Sequence, residues 1–144
     1  MELMIVIVII GILSAVGMVM FGGQAEKAKI AATKSIHKQV TTFIVVEMMN
    51  CSMGDTTTMG GSLTCSGRTP TSVVAAAVTS QSGEHENPYQ VEKAAVTSGG
   101  ANTATGDAGF IRLSVSGQNI IVKSCHTEPC SAAGERQEKS IAFQ

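Results

Sequence analysis

Tryptophan is absent from this chain, and the other aromatics are few: Phe21, Phe43, Tyr89, Phe110 and Phe143. A core without large rings must be built from Val, Ile, Ala and Met, each of which buries less area than an aromatic. The same scarcity disfavours electron conduction along stacked rings. Neither CxxC nor CxxCH occurs, so a common zinc spacing and an attachment point for covalent haem are both lacking. An excess of basic charge is lacking too. The formal net charge is −1, and residues 51–144 hold fewer Lys and Arg than Asp and Glu, so affinity for nucleic acid is expected to be weak or nil. No nucleophile elbow, phosphate loop or paired-carboxylate signature is found. The chain is therefore not expected to be an enzyme, and no cofactor or metal is implied. His37, His85 and His126 are scattered. His85 reads as part of an exposed charged turn, Glu84-His85-Glu86. Glu128, Glu135 and Glu138 lack the alternating oxygen spacing of a calcium loop.

Charge is also missing from one continuous stretch, Leu3–Phe21, which follows a lone acid at Glu2. Its length suits a membrane-spanning helix of roughly 20 residues. It holds no proline and only Gly11 and Gly17 as glycines. A cleaved signal peptide would need a basic start and a shorter apolar run. Such a helix either anchors the chain or leaves the bilayer and buries itself among copies of itself. Lys27 and Lys29 provide a cationic flank. Glu2 is the odd residue. A carboxylate is tolerated at a helix N-terminus, and it sets a register if a neighbouring chain supplies a positive group, because an unpaired buried charge is costly.

Gln24–Asn50 reads as a continuation of that helix. Ala25, Ala28, Ala32, Ile36, Val40, Phe43 or Ile44, and Met48 recur at steps of three and four, with Lys27, Lys34 and Lys38 off the stripe. From Cys51 the texture changes to Gly, Ser and Thr, which predicts a loop over 51–70. Strands are expected at Val73–Val78, Gln90–Val96, Phe110–Val115 and Asn119–Lys123, the last two joined by a Ser116-Gly117-Gln118 hairpin. Ser98–Gly109 reads as a long exposed loop, and Ile141–Phe143 as a terminal edge strand. No second helix is expected. The four cysteines, Cys51, Cys65, Cys125 and Cys130, allow three pairings. Cys51–Cys65 and Cys125–Cys130 are favoured because each closes a short local loop, and an even count fits an oxidising compartment. Cys125–Cys130 is expected to bound a tight surface loop. The expected class is α+β, with a long helix laid across a small antiparallel sheet. The parts are an apolar helix half (1–23), an amphipathic half (24–50) and a β head (51–144).

Glu2-Leu3-Met4-Ile5-Val6, followed by Ile9-Ile10-Gly11-Ile12-Leu13, resembles the N-terminal methylation motif of type IV pilins, commonly F-T-L-I-E-L-M-I-V-x-x-I-I-G-I-L. The likeness does not extend into the rest of the chain. It implies the pilin fold and a subunit made as a membrane-anchored precursor. A prepilin peptidase trims and methylates such a precursor, and inner-membrane assembly machinery extracts it into an extracellular helical homopolymer. It implies that Glu2 pairs with the N-terminal amine of a neighbour, while Leu3, Met4, Ile5, Val6, Ile9, Ile10, Gly11, Ile12 and Leu13 pack between subunits. Met1 stands where the motif has Ile, and F-T-L would precede it. The mature subunit is therefore expected to exceed residues 1–144 by a few residues and a methyl group. The proline that many relatives carry near Val19 is absent. Gly11, Gly17, Gly22 and Gly23 are expected to let the helix bend or melt in the filament, glycine being about 1 kcal/mol worse than alanine in a helix. The resemblance leads to a major pilin serving attachment, motility or DNA uptake. The alternatives are a pseudopilin of a type II secretion system and a minor pilin acting as adhesin.

Overall fold

The computed structural model describes residues 2–100 and 102–144, and their side chains except those of 2, 3 and 18–21. With no proline before Pro70, nothing interrupts the backbone ladder early in the chain. One helix, α1, runs from Glu2 to Met53, and its 52 residues follow a path of about 78 Å. Hydrogen-bonded helix continues through Gly11, Gly17, Gly22 and Gly23, and the pieces Met4–Gly17 and Gly22–Met53 are inclined at 40°.

The second half of α1 docks along one stripe. Thr33, Ile36, His37, Val40, Ile44, Met48 and Cys51 are buried at steps of three and four. The expected stripe is thus corrected at its start. Ala25 and Ala28 are exposed and Ala32 is half-buried, because close packing of α1 on the head begins only at Thr33.

Behind α1 lies a four-stranded sheet in spatial order β3-β4-β5-β6, made of β3 (Val96–Ser98), β4 (Ile111–Ser116), β5 (Asn119–Cys125) and β6 (Arg136–Ala142). The sheet is mixed rather than antiparallel throughout, since β3 runs parallel to β4. The β4–β5 hairpin stands where expected. Ser116 faces Asn119 across a two-residue turn, and Gly117 takes φ +59 there, which such turns require. Register puts Leu113 opposite Val122 and Ile120 opposite Ile141. One face therefore gathers Ile111, Leu113, Ile120, Val122 and Ile141 into the core with the α1 stripe.

Val73–Val78 is not a strand. It lies in a second helix, α2 (Pro70–Gln81), whose Thr69 N-cap and Ser72 form a capping box ahead of Pro70 at the helix start. Val73, Val74, Ala76 and Ala77 are buried, so the run that looked strand-like packs at helical spacing. Gln90–Val96 is not a strand either. Asn87 Oδ1 accepts from the amides of Tyr89 and Gln90 at 2.8 and 3.2 Å, turning the chain, and pairing with β4 begins only at Val96. Ser98–Gly109 is not exposed throughout: Asn102, Asp107 and Ala108 are buried, and Asp107 pairs with Arg112 at 2.6 Å. The terminal strand is longer than expected and starts at Arg136.

Residues 51–70 hold structure as well. A small hairpin of β1 (Thr57–Thr58) and β2 (Leu63–Thr64) flanks a 3-10 turn that buries Met59. The Met59 amide donates to the Glu47 carboxylate on α1. Disulfides join Cys51 to Cys65 and Cys125 to Cys130. The first spans 14 positions and locks the hairpin to the end of α1. Replacing both its cysteines with alanine should cost about 3 kcal/mol for a loop of that length, read as a lower midpoint in urea with an unchanged second bridge.

Candidate assembly interface

An apolar helix stripe normally faces a partner, and a helix apolar all round is normally buried all round. The first half of α1 breaks that rule within one subunit. Every described side chain from Met4 to Val16 is exposed; Ile9, for example, keeps 51 % of its surface and Leu13 keeps 66 %. The head covers none of them, so Met4, Ile5, Val6, Ile9, Ile10, Gly11, Ile12 and Leu13 form one uncovered arm. A bare surface of this kind marks an interaction site. The side chains of Glu2 and Leu3 lie outside the described residues. No single described helix is long and apolar enough to cross a membrane; Met4–Gly17 and Gly22–Met53 pass that test together, as a bent pair, by length and composition.

The root of the arm is clamped to the head by polar contacts. Glu26 Oε1 accepts from Tyr89 Oη at 2.8 Å and from Thr127 Oγ1 at 3.1 Å. The Tyr89 hydroxyl proton also faces the His126 carbonyl at 2.6 Å. Lys29 Nζ sits 5.2 Å from the centre of the Tyr89 ring, in cation–π range. Burial, reinforced by the Glu26 carboxylate, pushes the Tyr89 phenol up to about 12, so it stays a donor at any ordinary pH.

The clamp stands on the second disulfide. Cys125, His126 and Cys130 are buried while Glu128 and Pro129 are exposed, so the expected surface loop is anchored from beneath. Glu128 Oε1 accepts from the amides of Gly106 and Ala108 at 2.7 and 3.3 Å, and Oε2 from that of Cys130 at 3.3 Å. Its carboxylate thereby ties the 125–130 loop to the backbone at Gly106 and Ala108. Among the described residues no three His, Cys, Asp or Glu side chains are grouped to hold a metal. His85 is half-exposed between two exposed glutamates.

His37 lies off the apolar stripe that the sequence periodicity predicts, yet the fold buries it. It is 2 % exposed, and neither ring nitrogen has a hydrogen-bond partner among the described residues. Burial, with His126 nearby, lowers it to about 4. His126 is lowered too, by burial first and then by Lys34. The imidazole of His37 is therefore neutral when folded, and the unfolded chain binds more protons between about pH 6.5 and 4. Stability should fall as pH drops through that window, by up to about 3 kcal/mol. His37→Gln should flatten the urea midpoint against pH in the same window.

No family model, curated protein or solved structure matches the chain.

Proposed function

We propose that this chain is the structural subunit of a type IV pilus, with the pilin fold, held in the inner membrane by its apolar arm and then polymerised through that arm into an extracellular filament. The observation that carries the reading is the bare arm, Met4–Val16, at one end of a long helix whose other half is fixed to a head. In a bundle of such arms, each Å² of apolar surface removed from water contributes about 25 cal/mol. A lipid bilayer offers the same shelter to a single subunit before assembly. The methylation-like motif over Glu2–Leu13 supports the reading independently of the fold. In it Glu2 docks against a neighbour's terminal amine and sets the register. A prepilin peptidase and assembly machinery are the partners that follow. Chemistry is not assigned to the subunit.

Copy number tests this against the secretion-pseudopilin and minor-pilin readings. Cells are sheared, and the released material is pelleted and quantified. The chain should be the dominant protein of the pellet, and its deletion should remove filaments while leaving protein secretion intact. A trace subunit would mark a minor pilin, and a secretion defect without filament loss would mark a pseudopilin.

A further inference from the structure

A groove of about 380 Å³ runs between α1 and β6, lined by Lys34, His37, Lys38, Thr41 and Thr42 from the helix and by Gln137 and Lys139 from the strand. The cause lies in two periodicities. Steps of three and four place Lys34, His37 and Lys38 side by side on α1. Alternation along β6 puts Gln137 and Lys139 on the helix side and Glu138 on the other, where it pairs with Lys123 at 3.4 Å. None of the groove's lysines makes an ion pair among the described residues, and none of its lining residues is acidic. At its inner wall His37, with both ring nitrogens unpartnered, is a buried polar group left unsatisfied. A buried donor of that kind costs free energy until it finds an acceptor. Lys34, Lys38 and Lys139 thus place three like charges along one groove whose lining holds no carboxylate.

We propose that this groove binds a small multivalent oxyanion of the phosphate or sulfate class, held by Lys34, Lys38 and Lys139 with the His37 imidazole as the inner donor. One anion meets both demands, neutralising the cations and accepting from the ring. A multivalent anion suits three point charges better than a single carboxylate does. The source is solution rather than lipid. Lys34 stands about 18 Å along the axis from Gly22, beyond the roughly 5–8 Å headgroup layer of a bilayer that holds the arm. Among the described residues, the titratable groups around His37 are His126 and the three lysines, with Glu135 beside His126.

The test uses the full chain in micelles of an uncharged detergent at low ionic strength. Inorganic phosphate is titrated while the His37 ring protons are followed by NMR. Saturable binding on the order of 1 mM or tighter is expected, with the His37 pKa moving upward from about 4. Chloride at matched ionic strength should not reproduce it. Lys38→Ala with Lys139→Ala should weaken binding about tenfold or more; both side chains are exposed, so the fold should tolerate their loss. Lys38→Glu alone serves as a second variant and should abolish binding. A response that does not saturate, is matched by chloride, leaves His37 unmoved or survives in both variants would overturn the proposal. It does not depend on filament formation, so its failure and that of the pilin reading are separable.

Discussion

Ile9→Arg should abolish filaments while leaving the head as stable as before. Ile9 sits mid-arm and is 51 % exposed in the single subunit, outside the head's core cluster. Nothing in the head therefore senses the change, and its stability should stay within about 0.5 kcal/mol. The arm's surroundings would sense it strongly. A charge at the centre of a membrane helix costs about 2.5 to 3.5 kcal/mol. In a bundle of arms the guanidinium would be buried without a partner, at a cost of about 3 to 5 kcal/mol. At 1.4 kcal/mol per tenfold, costs of this size should lower the pelleted filament fraction by about a hundredfold. Quantifying the sheared pellet by immunoblot, beside a thermal melt of the head, checks both halves. Wild-type filament yield would mean that the arm is not the contact between subunits.

Gly109→Ala should be the most damaging single change in the head. Gly109 takes φ +84, and a Cβ there would lie 2.0 Å from Asn87 Oδ1 and 2.8 Å from its Cγ. Asn87 cannot move away cheaply. It is fully buried, donates to the Ala108 carbonyl at 3.1 Å and accepts from the amides of Tyr89 and Gln90. Left-handed backbone costs a non-glycine residue about 1 to 2 kcal/mol. Unsatisfying a buried amide adds about 1 to 3. A loss of about 2 to 5 kcal/mol is expected from these two costs together, measured by urea unfolding. The Tyr89 anchor of the Glu26 clamp should loosen with it, because Asn87 holds the Tyr89 amide. Ser131→Ala, at an exposed position, should lie within about 0.5 kcal/mol of wild type.

The features of this fold differ in how far their signals are local to the sequence. The arm needed no folding to be seen, because an uncharged run from Leu3 to Phe21 is a local property. The Gly117 hairpin and the two disulfide loops are local as well. Helix α2 is masked in the sequence because Val73 and Val74 favour strands, while the stronger signal is the cap: Thr69, Pro70 and Ser72 in helix-start order. The parallel β3–β4 pairing has no local signature, since register across a long connection is set by tertiary packing. The clamp was invisible for the same reason. Its hydrogen bonds join Glu26 to Tyr89 and Thr127, 63 and 101 positions away. His37 falls between these cases. It follows Ile36 on the packed stripe, yet only the sheet beneath decides that its ring nitrogens go without partners.

Helical reconstruction of sheared surface filaments by electron cryomicroscopy would show whether the apolar arm joins the subunits. A central bundle is expected, in which Met4–Val16 of each subunit is surrounded by the same segment of its neighbours, with Glu2 beside a terminal amine and the β3–β6 sheet facing outward. Filaments that contain this chain with the arm facing solvent, or filaments from which the chain is absent, would contradict it.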